Sequence, residues 1–120
     1  MLNVGKALKV SIYLSDGSRH HGVATEASIV DYLFTHGVSG ATVFKGVAGF
    51  GVDHHLHSAS FVELSDKLPV KIEFVETPEK VDELMPRLME LSGTGMIDII
   101  ETMIVKPAGA SKAAAGAARS

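Results

Sequence analysis

Cysteine is absent from the 120 residues. That excludes disulfides, thiolate metal sites and cysteine nucleophiles, and it fits a reducing compartment. No stretch approaches the roughly 18 consecutive apolar residues of a membrane span. The opening Met1-Leu2-Asn3-Val4-Gly5-Lys6 lacks the apolar centre of a signal peptide, so the expected location is cytoplasmic. Positive charge is not in excess. Eleven Lys and Arg stand against 14 Asp and Glu, a net charge of −3, which leaves no basic field and excludes nucleic acid as the expected partner. Catalytic signatures are missing as well. No serine sits in a G-x-S-x-G context, and there is no phosphate loop or dinucleotide fingerprint. The acids are scattered as solvated charges, with Glu83 and Arg87 spaced as an i,i+4 pair. The expectation is a protein that is not an enzyme.

What is present is a globular composition, 46% hydrophobic and 21% charged, in a chain of single-domain length. Leu8, Val10, Ile12 and Leu14 alternate with Lys9, Ser11 and Tyr13, the pattern of a half-buried strand. Ser15-Asp16-Gly17-Ser18 breaks it with turn chemistry. From about Val23 the period becomes helical through Ala27, Ile29, Val30, Leu33 and Phe34, and His36-Gly37 supplies a stop. A glycine-bounded segment from Ala41, with Thr42, Val43, Phe44 and Val47, reads as a strand ending in Gly49-Phe50-Gly51. After a polar loop over 52–67, Leu68-Pro69 opens a second alternating strand through Val70, Ile72 and Phe74. Thr77-Pro78-Glu79 is an N-cap, a proline at the first helical position and an acid at the positive helix end. Val81, Leu84, Met85, Leu88 and Leu91 form the stripe of a second helix, in which Pro86 predicts a kink or a lost hydrogen bond. Ser92-Gly93-Thr94-Gly95 ends it, and a last strand is expected within Met96–Lys106, centred on Thr102 to Val105.

The order is strand, helix, strand, strand, helix, strand. Four strands with one apolar face give two amphipathic helices the surface they must cover. The fold class expected is therefore α+β, a ferredoxin-like βαββαβ sandwich with an antiparallel sheet and both helices on one face. The folded domain is expected over residues 1–106. Residues 107–120, built from Ala, Gly, Ser, Lys and Arg without a large apolar side chain, are expected to be a disordered tail.

Two stretches invite a functional reading. Glycine exposes backbone N–H groups and allows φ > 0, so Gly49-Phe50-Gly51 at a strand end suits either close approach of a ligand or an abrupt exit. The run His54-His55-Leu56-His57 offers imidazoles, which suit Zn, Cu or Ni. Its spacing is that of no helical or finger-type zinc site, and no Cys or nearby cluster of acids completes four ligands. Solvated loop histidines are the preferred reading, with metal binding by His54, His55 and His57 the alternative. His20-His21 reads as a helix entry or a subunit contact.

Gly40-Ala41-Thr42-Val43, Gly46-Val47-Ala48-Gly49-Phe50-Gly51, His57, Leu64-Ser65, Leu68-Pro69-Val70-Lys71-Ile72-Glu73 and Glu79-Lys80 resemble the PII-like family catalogued as domain of unknown function 190. The resemblance covers about residues 7 to 106. That family is similar to the nitrogen-regulatory PII proteins, homotrimeric signal transducers that hold ATP or ADP between subunits. It implies a homotrimer with 52–67 as a T-loop that docks on a target protein, such as a membrane transporter. Thr42, Gly49, Phe50, Gly51 and Val75 match one wall of the PII nucleotide cleft, and Thr94-Gly95 match the opening of the other, the B-loop. The chain then departs from PII. Asp98-Ile99-Ile100-Glu101 stand where PII has glycines and a phosphate-gripping lysine, and two acids repel a polyphosphate. AMP or ADP is thus the effector expected, over ATP, unless a metal or Lys45 compensates. A CutA-like metal-binding trimer and a structural adaptor of a membrane transporter are the alternatives.

Overall fold

The expected alternation becomes a long central strand in the computed structural model, which describes residues 2–15, 19–20, 22–50, 57–58 and 68–109. Strand β1 is Gly5–Ser15. A two-residue ribbon, β2 (Arg19–His20) with β3 (Val23–Ala24), leads into helix α1 (Thr25–Thr35). This ribbon has no period to announce it, since two residues per strand are too few for alternation. Then come β4 (Ala41–Lys45), β5 (Ala48–Gly49), β6 (His57–Ser58), β7 (Pro69–Glu76), α2 (Pro78–Ser92) and β8 (Met96–Ile104). The main sheet is antiparallel in the order β4-β7-β1-β8, and β5 pairs with β6 as a separate ribbon.

Register explains the two faces. Val10 stands opposite Phe74, Ile12 opposite Ile72 and Leu14 opposite Val70, and all six are buried. Ile29 and Leu33 of α1 and Val81, Leu84, Leu88 and Leu91 of α2 complete this core. Each such side chain contributes about 1.5–3 kcal/mol on full burial. The fold is the ferredoxin-like sandwich expected, with both helices on one face.

The helix ends follow their sequence signals. The Lys80 amide donates to Thr77 Oγ1 at 3.2 Å, behind Pro78 at the first helical position. Gly37 ends α1 with φ +79, and the Val38 amide donates to the Leu33 carbonyl. Helix α2 continues through Pro86.

Several expectations are corrected. Phe34 is 81% exposed, because the buried stripe of α1 runs through Thr25, Ile29 and Leu33, and Phe34 lies about a quarter-turn off it. Glu83 pairs with Lys80, and Arg87 with Glu90, each at i,i+3 spacing. The expected second strand breaks at Gly46, whose amide turns to the Pro69 carbonyl at 2.7 Å; a Cβ there would sit 2.9 Å from Pro69 Cγ. The last strand begins at Met96 and is centred on Ile100 rather than on 102–105, because its register is set by β1, with Tyr13 opposite Met96 and Gly5 opposite Ile104.

Candidate functional site

The face of the sheet away from the helices carries Thr42, Phe44, Lys71, Glu73, Val75 and their neighbours. Its rungs read Thr42–Glu73–Ser11–Asp98 and Phe44–Lys71–Tyr13–Met96 across all four strands. Glu73 lies 3.2 Å from Lys71 and 3.8 Å from Lys9, and Lys71 sits over the Phe44 ring at 4.9 Å. Val75 shares this face one diagonal from Thr42, opposite Lys9. The first candidate wall thus runs along the β4–β7 edge. Gly49 lies at its far end, where a Cβ would come within 3.1 Å of Pro69 Cγ. Pro69 and Val75 stand at opposite ends of β7, about 20 Å of strand apart. Phe50 is 62% exposed beside Gly49; Gly51 lies outside the described residues.

Thr94 and Gly95 occupy the opposite edge, at the turn from α2 into β8. A Cβ on Gly95 would lie 2.6 Å from the Tyr13 carbonyl and 2.8 Å from Leu14 Cδ2, so this glycine is a packing residue of the β1 flank. Its amide already donates to the Ser92 carbonyl at 2.8 Å. That amide is therefore not free to meet a ligand. Tyr13 is on the rung of Lys71, two residues from Pro69. Gly49, against Pro69 of β7, and Gly95, against Tyr13 of β1, therefore mark the same end of the sheet.

The departure from PII also changes character. Asp98 to Glu101 lie inside β8, not in a loop. Asp98 pairs with Ser11 on the open face and Glu101 with Leu8 on the helix face, so only Asp98 shares a face with Thr42. Lys45 reaches Glu26 of α1 at 3.7 Å, on the helix side, since Val43 and Lys45 alternate with Thr42 and Phe44.

Among the described residues no group of three metal-ligating side chains forms. His54 and His55 lie outside those residues, and the metal reading with them; His57 falls in β6. No described helix is long and apolar enough to cross a membrane. A cleft of about 700 Å³ opens elsewhere, between the helices, lined by Ser28, Tyr32, Thr35, His36, Arg87 and Leu91. Three of its polar groups bond to close neighbours: Thr35 Oγ1 donates to the Asp31 carbonyl, His36 Nδ1 to the Tyr32 carbonyl, and Arg87 to Glu90.

Fold and site together define a ferredoxin-like protein whose glycine-marked turns sit at opposite edges of one open sheet. The chain belongs to the DUF190 family, described as an uncharacterized ACR, whose model matches residues 7–104. It is 35% identical over 102 residues to a UPF0166 protein of Methanocaldococcus jannaschii, covering 84% of this chain and 94% of that one. Two solved structures share the fold. CPII from Thiomonas intermedia K12, a nitrogen regulatory PII-like protein bound to ADP, AMP and bicarbonate, is similar at TM-score 0.60 and 18% identity, over 89% of this chain and 95% of that one. A PII-like signaling protein from Thermus thermophilus is similar at TM-score 0.63 and 14% identity, over 87% and 94%.

Proposed function

We propose that the protein is a PII-like regulatory homotrimer, not an enzyme, that binds an adenine nucleotide between subunits. Thr42, Gly49, Phe50, Gly51 and Val75 of one subunit form one wall, and Thr94-Gly95 of its neighbour the other. The effector changes the order of residues 52–67, which act on a target protein, and it does so by binding one loop state better than another. The folded unit proposed is residues 1–106; of the tail expected over 107–120, residues 110–120 lie outside the described residues.

One observation carries this reading. The first wall runs along the β4–β7 edge and Thr94-Gly95 lead into β8 on the other edge, an arrangement that favours a cleft completed by a second copy of the chain. The uncovered apolar groups of β8 support such a copy. Met96 and Ile100 on one face and Ile99 and Met103 on the other are each at least 43% exposed, along an edge strand whose outer hydrogen-bonding groups invite pairing. CPII, with the same fold, holds ADP and AMP.

Charge sets the order of affinity. Asp98 lies one rung from Met96 on the open face, and each added phosphate raises the repulsion from it. Calorimetry should give AMP and ADP tighter than ATP. Asp98→Asn should narrow the gap, whereas Glu101→Gln, on the other face, should leave it unchanged. Absence of heat with all three nucleotides at millimolar concentration would refute the nucleotide reading.

A further inference from the structure

We infer that Glu76 is a positioning residue that pins the register of β4 on β7, and thereby sets Thr42 beside Val75; its effect on binding rests on the nucleotide reading above. Strand β4 is an edge strand with β7 as its one neighbour in the sheet, and all five of its residues are exposed. A strand held by one short ladder specifies its register weakly, and a slip of one residue turns every side chain to the other face. Here both ends of β4 are tied to the two ends of β7. Beyond its C-terminal end the Gly46 amide donates to the Pro69 carbonyl at 2.7 Å. Before its first residue, Ser39 donates to Glu76 Oε2 twice, from the amide at 2.9 Å and from Oγ at 3.2 Å.

Glu76 itself is 5% exposed. A carboxylate is costly to bury without partners, and its other oxygen accepts a longer bond from the Thr77 amide, at 3.4 Å. It alternates with Val75, so the carboxylate holds β4 from behind while Val75 faces the site. Neither Glu76 nor Ser39 stands on the open face with the candidate ligand residues.

Two variants separate this role from plain packing. Glu76→Met keeps the volume and deletes both acceptors; Glu76→Gln keeps a carbonyl oxygen for both Ser39 donors and gives up only the longer bond from the Thr77 amide, which an NH2 group cannot accept. Hydrogen exchange over residues 39–45 should speed at least tenfold in Glu76→Met and stay within about threefold of wild type in Glu76→Gln. ADP affinity should follow the same pattern. Leu88→Ala, which opens the core under α2, should destabilise the whole protein without selective exchange at 39–45. Wild-type exchange and affinity in Glu76→Met overturn the inference. If Glu76→Met does not fold, Ser39→Pro, which removes both the amide and the hydroxyl donor, carries the test, and unchanged exchange over the remaining amides of 40–45 overturns the inference. If wild type binds no nucleotide, the nucleotide reading fails alone, and exchange still decides the role of Glu76.

Discussion

Gly95 shows how one residue's meaning shifts between sequence and fold. In sequence it is half of a Thr-Gly pair at a loop; in space it is the point where β8 passes so close to β1 that no side chain fits. Gly95→Ala should therefore destabilise the protein by about 1–3 kcal/mol, as overpacking does. Gly40, where an added methyl group would meet nothing within 4 Å, should tolerate alanine to within about 0.5 kcal/mol. Chemical denaturation compares the two, and equal midpoints would contradict the packing account. A charge pair gives a second residue-level test. The Glu83 carboxyl is held below its ordinary value by a hydrogen bond from Lys80 and then by the Lys80 charge, with a smaller contribution from the His36 charge. The folded state thus binds fewer protons than the unfolded state at mildly acidic pH. The pair's contribution is complete above the ordinary glutamate range and is lost as pH falls through the lower folded value. Salt screens it, because the Glu83 side chain is exposed. Lys80→Met should return Glu83 to the ordinary range in an NMR titration; an unchanged titration would remove Lys80 as the cause.

At the scale of elements, alternation and capping carried most of the information. β1 and β7 are central strands buried on one face, so Val10, Ile12 and Leu14 or Val70, Ile72 and Phe74 repeat with period two and are visible without coordinates. Thr77-Pro78 marks the start of α2 through local hydrogen bonding, which tertiary context does not alter. The edge strands were less legible. Met96-Ile97-Asp98-Ile99-Ile100-Glu101 has no clean alternation, since β8 presents apolar side chains on both faces. Its expected centre consequently falls too far toward the C-terminus. Resemblance to a loop in PII carried the reading further off, whereas pairing with β1 from Tyr13 to Gly5 makes the segment a strand. The break at Gly46 was hidden for a similar reason. Val47 continues the β-favouring composition, but the close passage of Pro69 ends the ladder.

For the whole molecule, the uncovered faces of β8 set the test of assembly. Ile100 is 58% exposed on the open face. A glutamate there is tolerated in a single chain but is costly at an apolar subunit interface. Ile100→Glu should convert the proposed trimer to monomers in sedimentation, and nucleotide binding should go with it, because the proposed cleft draws on two chains. Wild-type mass for this variant, or a monomeric wild type, would remove the intersubunit cleft. From sequence alone, the number and order of the main elements, the one-sided core and the family resemblance were determined, because local periodicity and capping act over a few residues. Only the tertiary structure decided that the two candidate walls lie on opposite edges, that Asp98 and Glu101 face opposite ways, that the Gly95 amide is already bonded, and that Glu76 ties Ser39 to β7. Each of these depends on which strands become neighbours and in what register, and contacts between residues far apart in the chain leave no local period to read.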